Sequence, residues 1–537
     1  MTLTRRSLLL SSAATLLPVV LEPARAQAPS SAPPPPVPQA SQQTAPANFR
    51  YDDVVKRARA LVGVPFDPVP PPLPDPIAKL DFDLWRDIRF RPDRALLGGA
   101  GGPFRMQLFH LGFLYKRPVT INIIRDGVPA PIPYAANLFD YGKLKIDRPL
   151  PVNLGFAGFR LHSPLNDPGV YDELISFLGA SYFRFLSRDQ HYGLSARGAS
   201  VNVGAKEEEF PVFTNFWVEQ PGPDADHAVI YALMESESLT GAFQFLVFPG
   251  VQTTVEVLAN LFIRKPVARL GIAPLTSMFF LGENDRRYRD DYRPELHDSD
   301  GLLIHSGAGE WIWRPLRNPR EPENSVFLDN NIRGFGLMQR DRNFENYQDD
   351  GVFYERRPSL WVEPRGSWGP GSVQLVEIPT VDETFDNIVA FWNPAAPVQP
   401  GQEMLWAYRL GWGAEPAPRP TLALCVATRT GLGGVVGQKR KYFSGRFAVD
   451  FSGGDLALVD AKTEVEAVIS ASRGRVEITS ARPLASIRGW RAMFDVVPDA
   501  STEPIGLRLF LRARGQALSE TWIYEWTPPP LAQRALT

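Results

Sequence analysis

Two short stretches of the chain gather carboxylates at a density that proton-transfer chemistry can use. "EIPTVDETFDNIVAFWNP" carries Glu377, Asp382, Glu383 and Asp386 among apolar and aromatic residues, and "HDSDG" carries Asp298 and Asp300 beside His297. Cleaving a glycosidic bond needs two such groups: a protonated one for the leaving oxygen, and an ionised one to activate water or attack the sugar carbon. Asp386 follows Phe385 and precedes "NIVAFW", and its nearest charges are Asp382 and Glu383. Apolar surroundings and like charge both favour a carboxyl that keeps its proton. The alternative is a turn between two strands in which the acids cap backbone amides. Spacing leaves both open. Asp298 and Asp300 are two residues apart, on one face if the segment is extended.

Other chemistries lose support. No nucleophile elbow, C-x-x-C pair, H-E-x-x-H or phosphate-binding loop occurs, and "GLGGVVG" lacks the spacing of a dinucleotide site. His297, Asp298, Asp300 and His305 match no standard metal-ligand spacing, so neither metal nor cofactor is expected. Lys plus Arg (57) nearly balances Asp plus Glu (59), and a net charge of -2 supplies no field for nucleic acid. A neutral partner fits better. Binding a neutral glucan takes flat aromatic faces and polar groups for the hydroxyls. Trp311, Trp313, Trp361, Trp368 and Trp392 are interleaved with Arg333, Tyr354, Arg356, Arg357 and Arg365. A Trp in an all-β protein is also a common core residue, so this pattern reaches only as far as polysaccharide binding in general.

The elements that must position these groups are mostly strands. Of 537 residues 44% are apolar, enough to bury a sizeable core, and 43 Gly and 52 Pro punctuate the chain. "PVTINIIRDG" and "TVEVLANLFI" alternate as strands do, the latter through Val255, Val257, Ala259, Leu261 and Ile263. "YDDVVKRARALVG" reads as a short helix ending at Gly63. "DPGVYDELISFLG" reads as the clearest helix, with Asp167 as N-cap, Pro168 at its first position and Gly179 at its end. "NPAAPVQPG" (Asn393 to Gly401) marks a boundary. Beyond it "MLWAYRLGW", "TLALCVAT", "RFAVDF", "EVEAVISA", "RVEITS", "AMFDVV", "GLRLFLRAR" and "TWIYEW" suit an immunoglobulin-like sandwich. The single Cys425 reads as a buried thiol. At the N-terminus, Arg5 and Arg6, an apolar run from about Leu8 to Val20, and "ARA" at Ala24 to Ala26 form a twin-arginine export signal. That run is shorter than the roughly 20 residues of a spanning helix. A Pro-rich tether follows. The expected layout is 1–26 signal peptide, 27–48 linker, 49–395 large β domain and 400–527 small β domain.

Longer blocks carry a resemblance. "FHLGFLYKRPVTINIIRDG", "SYFRFLSRDQHYGLSARGASVN", "RPELHDSDGLLIHSGAGEWIWRPLRNP" and "SLWVEPRGSWGPGSVQLVEIPTVDETFDNIVAFWNP" resemble the periplasmic glucan biosynthesis proteins of the G and D branches, from about Tyr51 to Trp526. The twin-arginine signal resembles the D branch more. The resemblance implies an all-β chain: a large galactose-mutarotase-like β-sandwich joined to a small immunoglobulin-like one. It implies a periplasmic role in making glucans with a β-1,2-linked backbone, either as an inverting endo-hydrolase or related transglycosylase, or as a non-catalytic factor that positions nascent glucan. A membrane-bound glucan synthase is the implied partner; the oligomeric state stays open. By the same resemblance Asp386 matches the general acid and Asp298 the base, while Tyr354 and Glu383 line the glucan site. Asp300, Arg356, Trp313, Trp361 and Trp368 complete the expected site.

Overall fold

The structure is a computed structural model that describes residues 48–98, 101–287, 290–460 and 462–535. The expected export signal and nearly all of the linker lie outside the described residues. The remainder is strand-rich, and its largest core sits between two big sheets. One has ten strands, in the order Arg105–Phe109, Gly158–Ser163, Asp172–Leu178, Tyr182–Phe185, Ser195–Arg197, Leu270–Ser277, Ile388–Pro394, Pro370–Glu377 and Glu323–Asn330, with Ala199–Val201 also paired to Leu270–Ser277. The other has fifteen. Its middle is the run Ser359–Pro364, Glu403–Gly413, Thr253–Ile263, Leu239–Phe248, Ala228–Glu235 and Val212–Glu219.

Alternation builds the core between them. In Thr253–Ile263 the five residues Val255 to Ile263 at every second position are buried, as their spacing predicts. Phe159, Phe177 and Phe183 of the ten-stranded sheet interlock with Phe213, Phe216, Phe243 and Phe245 of the other. Ring centroids lie 5.0 Å apart for Phe159 and Phe216 and 5.3 Å for Phe177 and Phe245. The helix predicted over "YDDVVKRARALVG" forms at Tyr51–Ala60, with a short 3-10 turn at Leu61–Gly63, and buries Val54 and Ala58.

The helix expected in "DPGVYDELISFLG" does not form. Asp172–Leu178 is a strand between Gly158–Ser163 and Tyr182–Phe185. Leu174, Ile175, Ser176 and Phe177 are all buried, which a surface helix with one apolar stripe could not achieve. The residues that looked like helix caps are turns: Val170 N–H donates to the Asp167 carbonyl at 3.0 Å, and Gly179 and Ala180 take positive φ in the hairpin to the next strand.

Glu403–Gly413, assigned from sequence to the second unit, pairs with Thr253–Ile263 and Ser359–Pro364 in the middle of the fifteen-stranded sheet. Eight later strands form two layers: Leu424–Leu432, Gly445–Ser452, Gly489–Val497 and Arg475–Leu484 in one, and Glu466–Ala471, Ile505–Ala513, Gln516–Ala517 and Thr521–Trp526 in the other. The second layer continues the large sheet, because Thr521–Trp526 pairs in parallel with Trp311–Pro315. A second core fills this seam, where Trp311, Trp313 and Trp361 join Cys425, Phe447, Phe494, Trp522 and Tyr524. Burial raises the Cys425 thiol pKa, as expected of an inert side chain.

Two buried charges shape the region between the sheets. Glu377, at the end of Pro370–Glu377, is fully buried; it accepts from Arg314 Nη2 at 2.7 Å and from the Arg317 N–H at 2.7 Å. Asp300 lies where the chain leaves the short strand Leu296–His297 for Gly301–His305. Its Oδ2 accepts from the Arg340 and Asp341 amides at 2.9 and 3.1 Å, while Oδ1 is buried without a partner. Burial raises its pKa to about 6, against the pull of His297 and Arg340.

Removing Glu377 strands Arg314. Glu377→Ala is expected to cost about 3–5 kcal/mol in urea denaturation, and Glu377→Gln less, since its amide oxygen still accepts. A loss below 1 kcal/mol in both would sink the account. For Asp300 the sign is opposite to that of a paired acid. The folded chain holds its proton up to about pH 6, and the unfolded chain only near the ordinary 3.8. Stability therefore falls as pH rises through that window and is level above it. Asp300→Asn is expected to flatten the slope by about one proton and to raise stability at neutral pH by ~2–3 kcal/mol, read from denaturation across pH. An unchanged slope would refute it.

Candidate functional site

The acidic stretch that drew notice in the sequence is a loop, residues 378–387, between the paired strands Pro370–Glu377 and Ile388–Pro394. Its neck is closed by side chain and backbone together. The Ile378 N–H donates to the Asn387 carbonyl at 2.9 Å, and Asn387 Nδ2 donates back to the Ile378 carbonyl at 2.9 Å. Asn387, buried, also holds Phe279 through both its backbone groups, at 2.8 and 3.0 Å. Thr380 is held by Asn318 on both sides, and Asp382 accepts from the Thr384 N–H at 2.8 Å as an ordinary turn acid. The loop is fixed at its base while Phe385 stays 70% exposed at its tip.

Asp386 sits at the end of this loop, next to the neck residue Asn387. It is solvent-exposed as a residue, yet the protein crowded around its carboxyl raises its pKa above the ordinary value. Both follow if the carboxyl lies in an open cleft, where solvent reaches it past many protein atoms. The charges that act on it are not the like charges expected from sequence. They are Arg197, Arg184 and Arg357, which oppose the rise.

Arg357 is the hub. Its guanidinium lies 3.9 Å from the Tyr354 ring centroid and donates to Asp298 Oδ1. Burial lowers its pKa to about 10, against the pull of Asp386 and Glu383. Arg357 thus touches Asp298 and Tyr354 and feels the charges of Glu383 and Asp386, residues that lie 88 positions apart from first to last. Glu383 is in turn clasped by Arg293, which also holds Asp291 and Asp349, all at 2.9 Å. Tyr354 is buried, stacked on Tyr347 at 6.0 Å, and its phenol pKa is raised by burial first and by Glu383 second.

The face of the ten-stranded sheet turned away from the core carries two of the arginines that act on Asp386, Arg184 and Arg197. In Tyr182–Phe185, Phe183 and Phe185 point into the core, and Tyr182 and Arg184 point out. Arg197 lies over the Tyr182 ring at 4.5 Å and Arg184 over Tyr192 at 4.3 Å; Arg160 binds Glu173 at 3.0 Å and Gln107 at 2.8 Å. None of these was singled out from sequence. The alternation in "YFRF" was the available signal. Arg357 had none, because its partners are set by tertiary packing.

Other expected site residues lie elsewhere. Arg356 is exposed over Phe353 at 5.2 Å, and the next residue, Arg357, takes the inward place. Trp313 and Trp361 are buried in the seam core, Trp313 with Arg340 only 3.6 Å from its ring centroid. Trp368 is buried among Trp392, Trp406 and Tyr408. All three are committed to packing and offer no face to a sugar. Asp300 binds backbone amides on the far side of a sheet change, so the two-residue rule for an extended segment does not bring it beside Asp298. His297 is held between Gln339 and Glu295, each at 2.9 Å. Nearby, oxygens of Glu283, Glu295 and Asp341 lie within 4.8 Å of one another. Burial raises the Glu283 pKa well up and that of Glu295 to about 7, and Glu283 hydrogen-bonds Glu295, so this cluster is arranged to share protons.

Comparison with known proteins agrees with the resemblance. The family described as "Periplasmic glucan biosynthesis protein, MdoG" matches residues 49–526. "Glucans biosynthesis protein D" of Stenotrophomonas maltophilia (strain K279a) is 55% identical over 488 residues, covering 90% of this chain and 91% of the relative. The protein of the same name from Xanthomonas campestris pv. campestris is 53% identical over 496 residues, 91% and 92% of the two chains. "Probable glucans biosynthesis protein D" of Shewanella oneidensis is 54% identical over 467 residues, 86% of each chain. With that match spanning both sheets, the seam and the Arg357 cluster, the chain belongs to the periplasmic glucan biosynthesis protein family and groups with its D branch.

Proposed function

We propose that the chain acts on the β-1,2-glucan backbone as an inverting endo-hydrolase or a related transglycosylase, with Asp386 as general acid and Asp298 as base. The observation that carries this reading is Asp386 itself: an exposed carboxyl whose surroundings favour the protonated form, beside a run of aromatic and guanidinium groups suited to a polyhydroxylated chain. Phe385, exposed next to it, is suited to cover the apolar face of a ring. Glu383 lies beside this site, and the buried Tyr354 ring backs it from behind Arg357, which reaches the base. In this scheme the acid gives its proton to the leaving oxygen while Asp298 receives one from water. Asp298 is 5% exposed and covered by Arg357, so this role requires the guanidinium to move aside and admit the attacking water. The chain is exported by its twin-arginine signal and receives glucan from a membrane-bound synthase.

The pairing of Asp298 with Arg357 favours a second reading. A carboxylate neutralised by a buried guanidinium is a weak base, and a glucan-binding factor that positions nascent chain needs the same aromatic and cationic wall without turnover. The two part on one substitution. Asp386→Asn is expected to lower cleavage or transfer of linear β-1,2-glucan by about 10²–10⁴-fold while binding persists, and the wild-type rate should fall as alkali removes the acid's proton. Intact polymer with wild type and variant alike, both still binding, would establish the binding factor instead. Asn387→Ala, which frees the loop neck without touching the cleft, is expected to lower turnover about 10- to 100-fold with little change in KM. Unchanged turnover would show that the neck does not position the acid.

A further inference from the structure

The hairpin that joins Leu424–Leu432 to Gly445–Ser452 in the C-terminal sandwich has a tip that the fold does not use. Val436 is 94% exposed, and Val435 and Leu432 beside it are about half exposed, at 48% and 47%. Lys439, Arg440 and Lys441 follow directly, all exposed, and no acid occurs between Gly431 and Ser444. Among the described residues Lys439 and Lys441 have no acidic partner. Of the acids beside the hairpin, Glu477 accepts from Tyr442 Oη and is paired with Arg475 at 2.6 Å.

The tip is held rigidly rather than left to collapse onto the sandwich. The buried Asp495 accepts from the Gly434 N–H at 2.7 Å, Arg440 Nε donates to the Gly433 carbonyl at 2.6 Å, and Arg446 Nη2 to the Gly434 carbonyl at 2.7 Å. Adjacent apolar side chains fixed in water, with a cationic belt behind them, fit a surface that is apolar inside and anionic at its rim. A soluble polyanion would use the lysines and gain nothing from the valines. We propose that this hairpin docks the chain peripherally on an anionic lipid surface, Val435 and Val436 entering the acyl boundary and Lys439, Arg440 and Lys441 meeting the headgroups. The contact is shallow and reversible, and it is separate from the cleft at Asp386.

Sedimentation of the full chain with vesicles tests this, and any pull from the N-terminal apolar run is common to all variants. Wild type is expected to pellet with vesicles of phosphatidylglycerol and phosphatidylcholine, less so at high salt, and more weakly with phosphatidylcholine alone. Lys439→Gln with Lys441→Gln should lower partitioning about 10- to 30-fold. Val436→Ser, which leaves the charge unchanged, should also lower it several-fold, and both variants should unfold at the wild-type temperature. Equal pelleting by wild type and both variants, or none by wild type, would overturn the proposal. Full vesicle binding by Val436→Ser with retention on heparin would overturn it in favour of a soluble polyanion.

Discussion

A carboxylate with no access to water has to be neutralised where it stands, and the way Glu377 is neutralised sets the geometry around it. Arg314 and the Arg317 amide meet it from the other large sheet, so the two sheets are tied by charge as well as by apolar packing. The tie continues along both chains. One residue past Arg317, Asn318 grips Thr380, and Thr380 lies three residues beyond Glu377. With Asn387 closing the far side, the acidic loop is fixed at both ends although its tip is in solvent. Such a fixed frame is what a group meant to meet one atom of a bound chain requires.

Inside that frame, electrostatics are a contest over few cations. Arg357 is claimed by Asp298 through a hydrogen bond and by Asp386 and Glu383 through space, and burial already weakens its hold on its proton. Glu383 is largely satisfied by Arg293, which leaves Arg357 with Asp298 as its direct partner. The result is asymmetry between the two acids of the proposed pair. Asp298 is hydrogen-bonded to the Arg357 guanidinium, whereas Asp386 is pushed toward the neutral form by burial against the pull of three arginines.

What the sequence made legible follows from range. Alternation is local, so strands such as Thr253–Ile263 and the short helix at Tyr51–Ala60 were readable from their own residues. Asp172–Leu178 was not, because Asp167, Pro168 and Gly179 suit a helix and only neighbouring strands make the segment extended. The tryptophans misled for a related reason: composition counts flat faces but cannot see that Trp313, Trp361 and Trp368 are turned into cores. Asp298 and Asp300 were separable only once the chain between them was seen to change sheets. Arg357 drew no special notice because a cation's role depends on which distant acids reach it. Resemblance named Asp298, Tyr354, Glu383 and Asp386; their convergence on one guanidinium is visible only in three dimensions.

The parallel pairing of Trp311–Pro315 with Thr521–Trp526 has a mechanical meaning. A domain hung on a linker can swing, and an enzyme built that way closes by rotating one lobe over the other. Here the C-terminal sandwich shares a hydrogen-bonded ladder with the large sheet, reinforced by Arg340 on Glu520 and by the tryptophans of the seam. It therefore behaves as a strut rather than a lid. If the proposed function holds, a glucan bound beside Asp386 would meet a fixed frame, with the exposed Phe385 side chain free to adapt to it.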